Sequence, residues 1–199
     1  ANTPNGKKIS IMLEEINFKY KDTKANINKD EQFKPEFVRL SPFRKIPVII
    51  DHENNQSLFE SGAILIYLGE KSGKLYDNNN RTQINQWLMG QMAYVGPMLG
   101  QHHQFHHYNP GKSKFGEERY FKISERIYLE LDMRLEKSKY LAYDEYTIAD
   151  IATFPWIARH DWHDIGLKKF KNLSRWYSEI SSRDQVKKGY DLLKKGEEI

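Results

Sequence analysis

The 199-residue sequence is 39% hydrophobic and 13% aromatic, enough for one large domain or two small ones with a sizeable core, and this composition excludes disordered, collagen-like and low-complexity classes. Its net charge of +4 is spread evenly, since residues 1–75 carry 12 basic and 10 acidic side chains and residues 76–199 carry 19 and 17; interleaved charges describe a solvated surface, not the one-signed patch of a nucleic-acid interface. Cysteine is absent, which rules out a disulfide framework, Cys-ligated metals, a Cys-x-x-Cys redox motif and a cysteine nucleophile, so any thiol chemistry must use a thiol that a ligand brings.

The first third alternates helical and strand signals. Ile9, Met12, Leu13 and Ile16 form the apolar stripe of a helix, and Thr3-Pro4 before them reads as an N-cap followed by proline at the first helical position. A short strand is expected at Thr23–Ile27 and a short helix around Pro35–Leu40. Ile46–Ile50 is a β-branched run of the kind buried on both faces, with Leu58-Phe59 as a hairpin partner, and Ser61 caps a helix whose stripe is Ile64, Leu65 and Leu68. Periodicity lapses between Lys71 and Arg81 in a stretch rich in Gly, Asn and Asp, a linker signal.

Everything beyond reads as helix. Ile84, Trp87, Leu88, Gln91, Val95 and Met98 keep one stripe, and Tyr120, Ile123, Ile127, Leu131 and Leu135 keep another. Thr147 and Asp150 have capping-box spacing before a third helix that contains Pro155, and two amphipathic stretches, Leu173–Ile180 and Gln185–Leu193, follow. The four tryptophans, Trp87, Trp156, Trp162 and Trp176, read as core. No apolar run approaches the ~20 residues needed to cross a bilayer, and the N-terminus lacks a signal-peptide stretch, so a soluble cytoplasmic protein with no membrane or nucleic-acid partner is expected.

Two short motifs carry chemistry. Ile46-Pro47 sits inside an apolar strand, where proline removes a ladder donor; such a proline is often cis, and the residue before it then turns its N–H and C=O toward a ligand. Glu60-Ser61-Gly62 lies at a helix start, where backbone N–H groups and the dipole favour a carboxylate while Glu60 pairs an ammonium. An α-amino acid head group satisfies both at once.

These motifs belong to a longer series: ThrProAsnGlyLysLys, GlnPheLysProGluPhe (32–37), SerProPheArgLysIlePro (41–47), LeuPheGluSerGlyAlaIleLeuIleTyrLeu (58–68), GlnTrpLeuMet (86–89), GlyProMetLeuGlyGln (96–101), GluArgTyr (118–120) and TyrThrIleAlaAspIleAlaThrPheProTrp (146–156). In that order, over nearly the whole chain, they resemble the cytosolic glutathione transferases, and within them the bacterial nu class of disulfide-bond oxidoreductases related to the yeast nitrogen-regulator domain. The resemblance implies an α/β thioredoxin-like N-terminal domain (1–73), a linker (74–81) and an all-α C-terminal domain (82–199), assembled as a homodimer. It places Glu60 and Ser61 on the γ-glutamyl head of glutathione, the backbone of Ile46 before cis-Pro47 on the cysteinyl unit, and Gln32 and Lys45 near the glycyl end. Asn5 and Thr3 fall near the sulfur, and Gln86 and Arg119 close the site.

Glutathione is thus the implied substrate, with no metal and no protein nucleophile. Its thiolate would attack a small disulfide or an electrophile, and in the disulfide case a second glutathione would resolve the product. A conventional conjugating transferase and a non-catalytic glutathione-binding regulator remain as alternatives. His102 with His106, and His103 with His107, have the i, i+4 spacing of a metal-chelating helix face; without a paired carboxylate or a further ligand the expectation is no functional metal site. The nu class usually has a His/Asn-rich segment here lining the cleft, and this chain carries His at two positions where Asn is expected. Two further departures stand out. The family's domain opens with a central strand before ThrProAsn, so a first β-strand is expected to be missing from this chain, and Phe43-Arg44 replaces two polar amides at the mouth of the site.

Overall fold

The computed structural model describes residues 2–192. They form two compact units: the first is the N-terminal part through Lys74 together with the chain from Arg183 onward, and the second is Leu75–Ser182.

The first unit is built on helix α1 (Pro4–Ile16). Thr3 caps it, its Oγ1 accepting from the Gly6 N–H at 3.2 Å with Pro4 in the first turn, and Ile9, Ile11, Met12 and Ile16 face the interior. Two single 3₁₀ turns (Ile27–Lys29 and Glu31–Phe33) and the short α2 (Pro35–Leu40) lead into an antiparallel hairpin of β1 (Val48–Asp51) and β2 (Gln56–Phe59), which pairs Val48 with Phe59 and Asp51 with Gln56. Helix α3 (Ser61–Ser72) follows and packs against α1, with Ile64, Leu65 and Leu68 buried.

Three expectations are corrected here. Thr23–Ile27 is not a strand: among the described residues the sheet has two members, β1 and β2, and this segment pairs with neither. The hairpin is not buried on both faces either, since Ile50 is 47% exposed. Third, α9 (Asp184–Leu192) does not join the helical domain but packs along α1. Gly189 makes that approach possible, because a Cβ there would lie 2.6 Å from the Ile11 backbone N and Cα. Around it, Ser10 Oγ donates to Gly189 O at 2.6 Å, Lys7 Nζ donates to Tyr190 O at 2.6 Å, and Arg183 forms a two-pronged pair with buried Glu15 at 2.6 and 2.8 Å. Gly189→Ala is therefore expected to destabilise the protein by roughly 1–3 kcal/mol in chemical denaturation, and unchanged stability would contradict this packing.

The second unit is all helical. A continuous helical run is interrupted twice by π-turns: α4 (Arg81–Gly90), a π-turn at Gln91–Val95, α5 (Gly96–His102) and a second π-turn at His103–Tyr108. Then come α6 (Lys114–Glu136), α7 (Ile148–Ile157) and α8 (Lys171–Ser182). Every residue of α7 is buried, and Asp150 anchors it as expected from the capping box. Its carboxylate accepts from Leu141 N and Trp176 Nε1, both at 2.9 Å, and from Thr147 N and Oγ1 at 3.0 and 3.1 Å. Among the described residues no helix is long and apolar enough to cross a membrane.

Candidate active site

A cavity of about 330 Å³ in the first unit is lined by Asn5, Ser41, Lys45, Ile46, Pro47, Glu60 and Ser61. Three local structures converge on it. The capped N-terminus of α1 presents Asn5 from its first turn, in a helix start that carries no acidic residue. The Ile46-Pro47 peptide is cis, as the sequence led us to expect, and the loop before it is held by Ser41, whose buried hydroxyl donates to Lys45 O at 2.8 Å and accepts from Lys45 N at 3.1 Å. The third element is the start of α3. Glu60 adopts φ 67°, ψ 115°, a backbone conformation that a side chain rarely takes and that costs on the order of 1–3 kcal/mol unless its surroundings impose it. It does so between the end of β2 and the first α3 hydrogen bond, Ile64 N to Glu60 O at 2.9 Å. This turn places Ser61 at the head of a helix dipole free of acidic first-turn residues, a geometry suited to an anion.

Five of the expected residues, Asn5, Lys45, Ile46, Glu60 and Ser61, therefore share one cavity. Thr3 and Gln32 belong to the same unit but not to its lining; Thr3 holds the helix start, and Gln32 lies in the second 3₁₀ turn with its Oε1 buried and without a hydrogen-bond partner. Gln86 and Arg119 lie in the second unit. Gln86 is an exposed residue of α4, and Arg119 lines a separate cavity of about 370 Å³ beside Tyr94, Lys122 and Arg126.

Two residues of the site escaped the sequence reading. Ser41 is one, and its only signal was the Ser-Pro pair before the loop. The other is Lys8, whose Nζ donates to Ser61 Oγ at 3.3 Å and which is 1% exposed. Burial pulls its ammonium down from the ordinary 10.5 to about 7, while the Glu60 carboxylate acts in the opposite direction. A signal existed: Lys8 stands at i−3 to Ile11 and i−4 to Met12, on the buried side of α1.

The histidine segment forms an aromatic cluster in the second unit. His102 donates through Nε2 to His163 O at 2.9 Å, and Tyr128 Oη and His163 Nδ1 are 2.7 Å apart. The His103 ring stacks on His163 (4.6 Å, 9°) and on Trp156 (5.9 Å, 15°). Trp156 and Trp176 are core, but Trp87 and Trp162 are only half-buried, which corrects the expectation for both; the Trp162 ring lies 4.0 Å from the His107 ring and 4.1 Å from the Arg159 guanidinium. Among the described residues no group of three or more His, Asp or Glu side chains is arranged to hold a metal ion.

Burial, aided by Arg159, holds the His103 imidazole down at about 3. An unfolded histidine protonates from pH ~6.5 downward while the folded one stays neutral, so this residue removes stability progressively as pH falls from ~6.5 toward 3, by ~1.4 kcal/mol per pH unit. His103 Nε2 has no hydrogen-bond partner, so phenylalanine can take its stacked position. In His103→Phe the slope of stability against pH between 6.5 and 4 should fall by about that amount; an identical slope would show that His103 titrates normally.

Residues 1–70 match the glutathione S-transferase N-terminal domain and residues 98–184 the glutathione S-transferase C-terminal domain. Disulfide-bond oxidoreductase YfcG of Escherichia coli (strain K12) is 42% identical over 201 residues, covering 98% of this chain and 93% of the relative. The chain belongs to the glutathione S-transferase family. A glutathione transferase of Burkholderia graminis, solved with two glutathione molecules bound per subunit, superimposes with a TM-score of 0.92 at 39% identity, over 98% of this chain and 87% of that one. Another, from Pseudomonas putida and solved with one glutathione disulfide per subunit, gives 0.89 at 41% identity over 96% and 89%. The fold is thus the glutathione transferase fold, a thioredoxin-like part with a helical part, and every residue lining the first cavity falls within the span matched to the family's N-terminal domain.

Proposed function

We propose that this glutathione S-transferase family member is a glutathione-dependent disulfide reductase. The observation that carries the reading is a cysteine-free cavity that gathers Asn5, cis Ile46-Pro47, Glu60 and Ser61 in a chain 42% identical to a disulfide-bond oxidoreductase. Ser61 and the first N–H groups of α3 take the γ-glutamyl carboxylate, and Glu60 takes its ammonium. The backbone of Ile46 pairs with the cysteinyl unit, and Gln32 and Lys45 serve the glycyl carboxylate. The sulfur then points to the N-terminus of α1, where the Asn5 amide, the Thr3 hydroxyl and the dipole favour the thiolate.

The thiolate attacks one sulfur of a small disulfide, forming a glutathione mixed disulfide and releasing a thiolate. A second glutathione thiolate attacks the mixed disulfide and releases the second thiolate, leaving glutathione disulfide. Two thiols are oxidised and one disulfide is reduced, so no other oxidant or reductant is needed. Such chemistry suits a reducing compartment, and we place the protein in the cytoplasm.

The test is turnover of 2-hydroxyethyl disulfide with glutathione, coupled to glutathione reductase, beside chlorodinitrobenzene conjugation on the same preparation. Fast reduction with weak conjugation supports the reading. The reverse supports a conventional transferase, and silence in both with glutathione still bound supports a regulator.

A homodimer is part of the proposal. Along one side of α6, Leu129 and Met133 are 50% and 48% exposed, and Met89 of α4 and Tyr94 of the following π-turn are 45% exposed each, an apolar set that a second copy would cover. Sedimentation equilibrium is expected to give twice the 23.6 kDa chain mass, and a species of 23.6 kDa alone would remove the dimer.

A further inference from the structure

We infer that Lys8 is a positioning residue of the glutathione site: from beneath the cavity it sets Ser61 as a donor to the γ-glutamyl carboxylate and supplies that carboxylate with a buried countercharge. The inference rests on the proposed glutathione site and goes beyond it in naming what holds Ser61 and how binding is coupled to protons.

The geometry is specific. An ammonium donates and never accepts, so the 3.3 Å contact makes Ser61 Oγ the acceptor, and the hydroxyl keeps its own proton to give to another acceptor. Ser61 is both a lining residue of the cavity and buried, so Lys8, 1% exposed, touches the site through it from the protein side. On its own helix, Lys7 is turned away to α9, where its Nζ lies 3.5 Å over the Tyr190 ring and bonds Tyr190 O. From the side of α3, the carboxylate that acts on Lys8 is Glu60. A ligand carrying an ammonium for Glu60 and a carboxylate for Ser61 reverses this balance, since it engages the existing counterion and brings a new one next to the serine.

The sign follows. Burial makes Lys8 hold its proton weakly near pH 7, and an arriving carboxylate stabilises the charged form. Binding must then take up a proton, and affinity must decline as pH rises above ~7. A lysine that merely tied α1 to α3 would show neither effect.

The experiment is titration calorimetry of S-methylglutathione, which has no titrating thiol, in buffers of differing ionisation enthalpy at pH 7.5. The wild-type chain should take up about half a proton or more per ligand bound. Lys8→Met keeps the length of the stem in an apolar setting; it should abolish the uptake and weaken binding about tenfold or more at pH 6.5, with the gap to wild type narrowing toward pH 8.5. Because the ligand's amine titrates identically with both proteins, the difference isolates Lys8. Binding without proton uptake by the wild type, or equal affinity and uptake in Lys8→Met, overturns the role of Lys8 while leaving the glutathione site intact. No binding by the wild type overturns the site itself, and this inference with it.

Discussion

Asn5→Ala is expected to bind glutathione nearly as well as the wild type while reducing a small disulfide about 10²-fold more slowly or worse. A residue in a first helical turn can cap the helix or act on a ligand. Capping of α1 is done by Thr3, whose Oγ1 accepts from Gly6 N, so truncating Asn5 leaves the helix start in place. Anchoring of the γ-glutamyl head is assigned to Glu60 and Ser61, on a different element of the same cavity. What Asn5 adds is an amide donor at the positive end of α1, where negative charge on sulfur has to be stabilised during attack. The loss should therefore fall on kcat, with the KM for glutathione little changed. Unchanged turnover would remove Asn5 from the chemistry, and lost binding would make it a ligand anchor instead.

The largest stability effect is expected at Asp150, far from that cavity in sequence and in the other unit. Its two carboxylate oxygens divide four donors: Leu141 N and Trp176 Nε1 on Oδ1, Thr147 N and Oγ1 on Oδ2. Alanine leaves the three N–H groups buried without this acceptor, at roughly 1–3 kcal/mol each. A loss of at least ~3 kcal/mol is a large share of a typical folding free energy, and it should lower the melting temperature by roughly 10 °C or prevent recovery of folded protein. Asparagine retains an acceptor for Leu141 and Trp176 but turns an amide donor toward Thr147 N, so Asp150→Asn should fall between alanine and wild type. If the alanine variant melts within a few degrees of wild type, the α7 box is not the anchor of the helical unit.

Which parts of this picture could be read from the sequence follows from the range of the forces involved. Helix α1 was legible because Thr3, Pro4 and the Ile9–Ile16 stripe are local signals, and α7 was legible from Thr147 and Asp150. The cavity residues Asn5, Ile46, Glu60 and Ser61 were legible because each stands at an element's start, where turn chemistry leaves a mark on the sequence. Failures came where a distant partner decided the outcome. Thr23–Ile27 has strand composition but no neighbour among the described residues to pair with. The amphipathic pattern of α9 says that one face is buried, not that it is buried against α1; the close approach at Gly189, where a Cβ would lie 2.6 Å from Ile11 N and Cα, shows that. Trp162 reads as core because it is tryptophan, yet it is half-buried, with the His107 ring stacked on it and the Arg159 guanidinium 4.1 Å from its ring. Lys8 was passed over because lysine on a helix is normally solvated, and its burial beneath Ser61 depends on α3, more than fifty positions along the chain.

The central claim is that the reactive sulfur belongs to glutathione and is held as thiolate at the start of α1. The most direct measurement is a pH titration of the ultraviolet thiolate absorbance of glutathione bound to the protein. Because the chain contains no cysteine, the only thiolate is the ligand's, and a titration of the ligand-free protein subtracts the contribution of its 12 tyrosines. The account predicts that the bound thiol ionises at least ~1 unit below its free value of about 8.5, and that Asn5→Ala returns it most of the way. A bound thiol that titrates at its free value in the wild-type protein would contradict it.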